Sequence, residues 1–139
     1  MKKMITLVDE LGIRAKVHFL GKQENLAELY SISDLFLLLS EKESFGLAAL
    51  EAMACGVPCI GTDIGGIPEV IADGENGYVC PLGDLEAIST RAISLLTDPV
   101  LYKEFSKNAL DAVHRYFSAE RIVEEYEKVY YGLLGQVEE

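Results

Sequence analysis

The longest unbroken run of large apolar residues in this 139-residue chain is Leu35–Leu39. That is far short of the ~20 residues a membrane-spanning helix needs. Met1-Lys2-Lys3 is not followed by the apolar stretch and cleavage site of a signal peptide, so the chain reads as cytoplasmic. Basic residues are scarce as well: 12 Lys and Arg stand against 23 Asp and Glu, for a formal net charge of -11. With no Lys/Arg cluster beyond Lys2-Lys3, the chain lacks the electrostatic footprint of a nucleic-acid binder. Three cysteines, Cys55, Cys59 and Cys80, are an odd count that makes no disulfide framework. They read as buried thiols, since zinc would want further Cys or His nearby. The two histidines, His18 in a strand-like run and His114 late in a helical one, read as structural. Two nucleotide signatures are missing: Gly61–Gly66 does not spell G-x-G-x-x-G, and no Gly-Lys-Ser/Thr loop occurs. These absences exclude the common dehydrogenase and P-loop patterns.

What is present is ample apolar content, half of all residues, with a quarter charged. That suffices for one core of ordinary domain size and rules out an acidic disordered tail. Residues 1–139 therefore read as a single domain. Met1 to Leu11 reads as a helix closed by Gly12, Val17 to Leu20 as a strand, Asn25 to Ile32 as a helix and Leu35 to Leu39 as a strand. Phe45 to Cys55 follows as a helix stopped by Gly56 and Pro58, then Cys59 to Thr62 and Tyr78 to Cys80 as strands. Strands alternating with helices imply an α/β fold, a Rossmann-like parallel sheet flanked by helices. The apolar run Leu35–Leu39 fits a strand buried on both faces. The last third is helical, with Asp84, Asp98-Pro99 and Ser118 as helix starts. In the final helix Ile122, Tyr126, Val129 and Leu133 form one apolar stripe.

Ligands of open parallel sheets bind beyond the carboxyl ends of the strands. Three loops then matter: Gly21–Asn25, Ser40–Ser44 and Asp63–Glu69. The middle loop runs into the helix whose first turn, Phe45-Gly46-Leu47, offers unpaired N–H groups to an anion. Between Glu43 and Asp63 the only charged residue is Glu51, so this helix is expected to be buried almost all round. A lone carboxylate on such a helix calls for a partner, the alternative being a side chain that reaches solvent at a helix edge. Gly65-Gly66 offers a second close backbone approach for phosphate or sugar, or else simply a tight turn before Pro68.

Glu43, seven residues, then Glu51, with Phe45-Gly46 inside, resembles the E-x7-E motif of retaining glycosyltransferases of the GT-B fold, family four. The resemblance extends over "VHFLG" at 17–21, "SDLFLLLSEKESFGLAALEAMACGVPCIGTDIGGIPEVI" at 33–71 and "DGENGYVCPLGD" at 73–84. Within the family the text is most similar to the bacillithiol-pathway branch, which joins N-acetylglucosamine from UDP-GlcNAc to L-malate.

The resemblance implies the C-terminal, donor-binding half of a two-domain hexosyltransferase, with no metal or cofactor. Glu43 would reach a hydroxyl of the donor hexose as the catalytic-site carboxylate. Ser44, Phe45, Gly46 and Leu47 would bind sugar and diphosphate, Glu51 would grip the ribose hydroxyls, and Gly21 would lie near the nucleobase. Neither Glu acts as a nucleophile on this view, because retention is attributed to front-face attack assisted by the leaving phosphate. The family also carries a first strand, an Arg/Lys pair and an N-terminal acceptor domain upstream of "VHFLG". Their absence from these residues implies a fragment that is inactive alone and prone to self-association. The competing expectation is a non-enzymatic sugar-nucleotide-binding or assembly module of the same fold. A sugar-nucleotide epimerase would need a different carboxylate arrangement.

Overall fold

The computed structural model describes residues 2–135. Its frame is a three-stranded parallel sheet of β1 (Phe36–Leu38), β2 (Cys59–Thr62) and β3 (Gly77–Cys80), side by side in chain order. Around it lie α1 (Lys2–Glu10), α2 (Leu26–Ser31), α3 (Leu47–Ala54), α4 (Ile67–Val70), α5 (Leu85–Thr97), α6 (Pro99–Tyr116) and α7 (Ala119–Leu134). The α/β class, the parallel pairing and the helical C-terminus are those expected of the sequence.

The sheet is clothed on both faces because alternate residues of a strand point to opposite sides. Cys59 belongs to one core cluster with Ala49, Met53, Ile67 and Ala109, while its neighbour Ile60 belongs to another with Tyr78, Ile88, Leu95 and Phe105. Helix α6 serves both clusters, through Ala109 and Phe105. The helix starts are set locally. Asp84 accepts from the Ala87 N–H, Asp98 from those of Val100 and Leu101, and Ser118 from that of Arg121. Burial pushes the Cys59 thiol up to about 12, as suits a cysteine used as a small hydrophobe.

Four expectations are corrected. Val17–Leu20 forms no strand: Val17 is extended, but among the described residues β1 pairs only with β2, and a strand exists only through a partner's ladder. A short 3-10 turn, Arg14–Lys16, precedes that segment, and the Arg14 guanidinium lies over the Phe19 ring. Second, the strand buried on both sides is β2, not Leu35–Leu39; Leu37 and Leu39 of that run are exposed. Third, Cys55 is exposed, while Cys59 and Cys80 are buried as expected. Fourth, α3 is not buried all round, since Leu47, Glu51, Ala54 and Cys55 are exposed along one side. Helix α2 and the loop ahead of it border that side, where the Cys55 thiol approaches the Ala27 carbonyl oxygen, but they leave an almost chargeless face open to solvent.

Helix α7 has no buried residue. Its expected stripe is largely uncovered: Ile122 is half-buried, but Tyr126, Val129 and Leu133, with Tyr130 adjoining, are all more than half exposed. Exposed apolar patches of this kind favour association. Light scattering across a concentration series is expected to show self-association of the chain that Tyr130→Glu reduces; a strict monomer at high concentration would contradict this.

Candidate functional site

The loops that follow β1 and β2 are tied together at their roots and again at their tips. At the root the Thr62 hydroxyl, buried at the end of β2, donates to the Ser40 carbonyl oxygen at 2.8 Å. At the tip Gly65 and Gly66 pack backbone against backbone on the Glu43–Phe45 segment. A β-carbon on Gly66 would lie 2.7 Å from the Phe45 Cα and from the Ser44 carbonyl oxygen, and one on Gly65 would land on the Glu43 carbonyl oxygen. Gly65 also has φ +57, the left-handed region that glycine tolerates. The loop after β2 is fastened toward β3 as well, where Asp63 accepts from the Leu82 N–H at 3.2 Å. The glycine pair thus carries a role that sequence reasoning missed: it buttresses the loop bearing Glu43. The only signal for it was the doubled glycine itself.

That buttressed loop sets the geometry of Glu43. Its Oε1 accepts from the backbone N–H groups of Ser44, Phe45 and Gly46 at 3.0, 3.4 and 3.2 Å. Successive N–H groups converging on one oxygen form an anion-binding nest. The N–H groups of Phe45 and Gly46, expected to face an anionic ligand, are here gathered around a carboxylate of the chain. Gly46 makes this turn feasible, with φ 95 and ψ 35 as the N-cap of α3. Space alone does not require glycine there, because a β-carbon would make only ordinary contacts, the nearest at 3.6 Å.

Two clefts border this loop and helix. The larger, of about 730 Å³, is an apolar groove between Phe45, Leu47 and Leu50 on one side and Phe117, Ile122 and Tyr126 on the other. The smaller, of about 420 Å³, holds Glu51 together with Glu24, Asn25, Tyr30 and Cys55. The end of the first loop therefore meets Glu51, although Gly21 itself lines neither cleft. Gly21 has φ +68 and open space where a side chain would go. Glu51 points from the open face of α3, and the Tyr30 hydroxyl donates to its Oε2 at 3.5 Å. Lys22 and Lys42 are exposed and make no ion pair among the described residues. No helix of the described residues is long and apolar enough to cross a membrane.

Chemically, the arrangement sets one carboxylate on a hydrogen-bonded turn and a second, midway along α3, in a cleft of mixed polar and apolar lining. Carboxylates accept hydrogen bonds from hydroxyl groups, and two neighbouring hydroxyls suit their paired oxygens.

Comparison with known proteins agrees with this architecture. The chain is 54% identical over 131 residues to N-acetyl-alpha-D-glucosaminyl L-malate synthase of Bacillus anthracis, covering 94% of this chain and 34% of that protein. It is 37% identical over 130 residues to D-inositol 3-phosphate glycosyltransferase of Rhodococcus erythropolis, covering 90% of this chain and 29% of that protein. The chain thus spans about a third of the length of the curated relatives it matches. Among solved structures, sucrose-phosphate synthase from Thermosynechococcus elongatus superposes with a TM-score of 0.88 at 31% identity, over 97% of this chain and 34% of that one. Anabaena HepE, determined in complex with UDP-glucose, superposes with a TM-score of 0.86 at 26% identity, over 94% of this chain and 36% of that one. The sheet and helices are those of the C-terminal domain of GT-B glycosyltransferases. Residues 1–111 match the model of the family described as glycosyl transferases group 1, and the chain belongs to that family.

Proposed function

We propose that the chain is the donor-binding part of a retaining hexosyltransferase that takes N-acetylglucosamine from UDP-GlcNAc and delivers it to L-malate. The observation that carries the reading is the pair Glu43 and Glu51, one on the buttressed turn ahead of α3 and one in the cleft along it. The choice of donor and acceptor leans on the relative whose name specifies N-acetylglucosaminyl malate synthesis, and the choice of a uridine nucleotide also on the neighbour that holds UDP-glucose.

In this reading Glu43 accepts from a hydroxyl of the donor hexose, while the backbone of Ser44, Phe45, Gly46 and Leu47 lies along sugar and diphosphate. Glu51 takes the vicinal ribose hydroxyls, and the loop beginning at Gly21 approaches the base. The E-x7-E spacing serves this purpose by placing the first Glu before the helix N-terminus and the second on its open face. No Glu is consumed as a nucleophile; the departing phosphate draws the proton from the incoming hydroxyl on the same face. The acceptor-binding wall lies outside these 139 residues, and transfer needs both reactants held in one geometry.

Calorimetric titration with UDP, UDP-GlcNAc and GDP-mannose tests the donor assignment, with the two uridine ligands expected to bind more tightly. The same chain mixed with UDP-GlcNAc and L-malate is expected to give no turnover. Preference for GDP-mannose would overturn the assigned donor, and turnover by the chain alone would overturn the division of labour.

A further inference from the structure

Tyr30 is the one aromatic side chain in the Glu51 cleft, and it is almost fully buried, with 7% of its surface exposed. Its ring is fixed from behind by Phe36 of β1, edge to face at 5.4 Å and 88°. It also belongs to the core cluster that holds Ala52 and Met53 of α3. The ring therefore has little freedom, and its hydroxyl is presented to the cleft at a position set by the sheet.

Among the described residues that hydroxyl makes one side-chain hydrogen bond, donating to Glu51 Oε2 at 3.5 Å. This is long for a phenol on a carboxylate. It is nevertheless the link between an exposed side chain and the buried core. Burial, with the Glu51 carboxylate second, raises the Tyr30 phenol above its ordinary value, so it remains a proton donor through the neutral range. A glutamate free to rotate has to be ordered before it can bind a diol, at a cost in side-chain entropy. A carboxylate has about four acceptor positions, and one bond from a phenol leaves enough for two sugar hydroxyls.

We propose that Tyr30 is a positioning residue: it holds Oε2 of Glu51 so that the carboxylate faces the adjacent 2′ and 3′ hydroxyls of a ribonucleoside diphosphate, making the cleft selective for ribose over 2′-deoxyribose. The proposal rests on the donor-site reading of Glu51 given above. Tyr30 touches no reacting atom in it and acts only through Glu51.

The test is a double-mutant cycle of Tyr30→Phe and Glu51→Gln, read by calorimetric titration of the 139-residue chain with UDP and with 2′-deoxy-UDP, with melting temperatures measured alongside. Tyr30→Phe keeps the ring and its packing on Phe36 and removes only the hydroxyl. It is expected to weaken UDP binding about three- to tenfold, as for loss of one hydrogen bond. It should weaken 2′-deoxy-UDP less than UDP, and its effect should shrink in the Glu51→Gln background, where the phenol holds an uncharged amide in place of the carboxylate. Equal weakening of both nucleotides would mean that Tyr30 supports the fold generally, and would overturn the proposal. Full UDP affinity in Tyr30→Phe, with weakening in Glu51→Gln, would remove Tyr30 alone. Full affinity in Glu51→Gln would remove the donor-site reading itself and the proposal with it.

Discussion

Gly65→Ala is expected to lower the melting temperature sharply and to remove UDP binding with it. The residue has φ +57, where a β-carbon costs roughly 1–2 kcal/mol of local strain. Here that carbon would also land on the Glu43 carbonyl oxygen, a backbone atom with no rotamer to escape into. Overpacking of this kind costs about 1–3 kcal/mol more. Together the two effects correspond to a fall of roughly 10 °C in a domain of this size. The functional loss has a separate cause: relief of the collision moves the Glu43 segment, and with it the turn that gathers the Ser44, Phe45 and Gly46 N–H groups. Gly74→Ala is the control, because Gly74 has φ +79 but nothing within 4 Å of the added carbon. It should show the strain without the collision or the loss of binding. Equal melting temperatures for the two variants would mean that the Gly65 contact is not a constraint.

Glu51→Gln is expected to weaken UDP binding by roughly 10- to 100-fold, the range for removing a charged acceptor, about 1.5–3 kcal/mol. Its melting temperature should stay close to that of the parent. Glu51 is exposed and makes no ion pair among the described residues, and Tyr30 is the one side chain hydrogen-bonded to it. Glutamine keeps the size and still accepts from that phenol. Loss of affinity without loss of stability therefore separates a binding role from a structural one. Glu51→Asp, shorter by one methylene, should retain the fold and bind with intermediate strength. Unchanged affinity in Glu51→Gln, measured by titration, would make Glu51 a bystander.

Much of the frame was legible because its causes are local. Asp84, Asp98 and Ser118 cap their helices within three residues along the chain, and a polar residue at a helix start can be read without knowing what lies across the fold. Cys59–Thr62 was legible as a strand for a similar reason, its short apolar stretch being bounded by Pro58 and Asp63. Val17–Leu20 has an equally strand-like pattern and forms none, since its fate depends on a neighbouring ladder that no local pattern encodes. The glycine pair forms the tight turn before α4 that was one of its two readings, but what it packs on was not legible. Its sequence says that a β-carbon is not wanted, but not whether a ligand or another stretch of backbone takes the space. In the fold it is the backbone of Glu43–Phe45 that does.

By itself the sequence determined the α/β alternation, the helix starts, the scarcity of charge on α3 and the isolation of Glu51 upon it, because composition and periodicity are properties of neighbouring residues. The tertiary structure alone decided that this bare face is open rather than buried, that β2 and not β1 is enclosed, and that Tyr30 meets Glu51 across 21 positions of the chain. It also decided that α7 keeps its stripe largely uncovered among the described residues. An apolar residue has the same free-energy reason to leave water whether core, ligand or another surface receives it. Which of these is within reach is fixed only when distant elements pack.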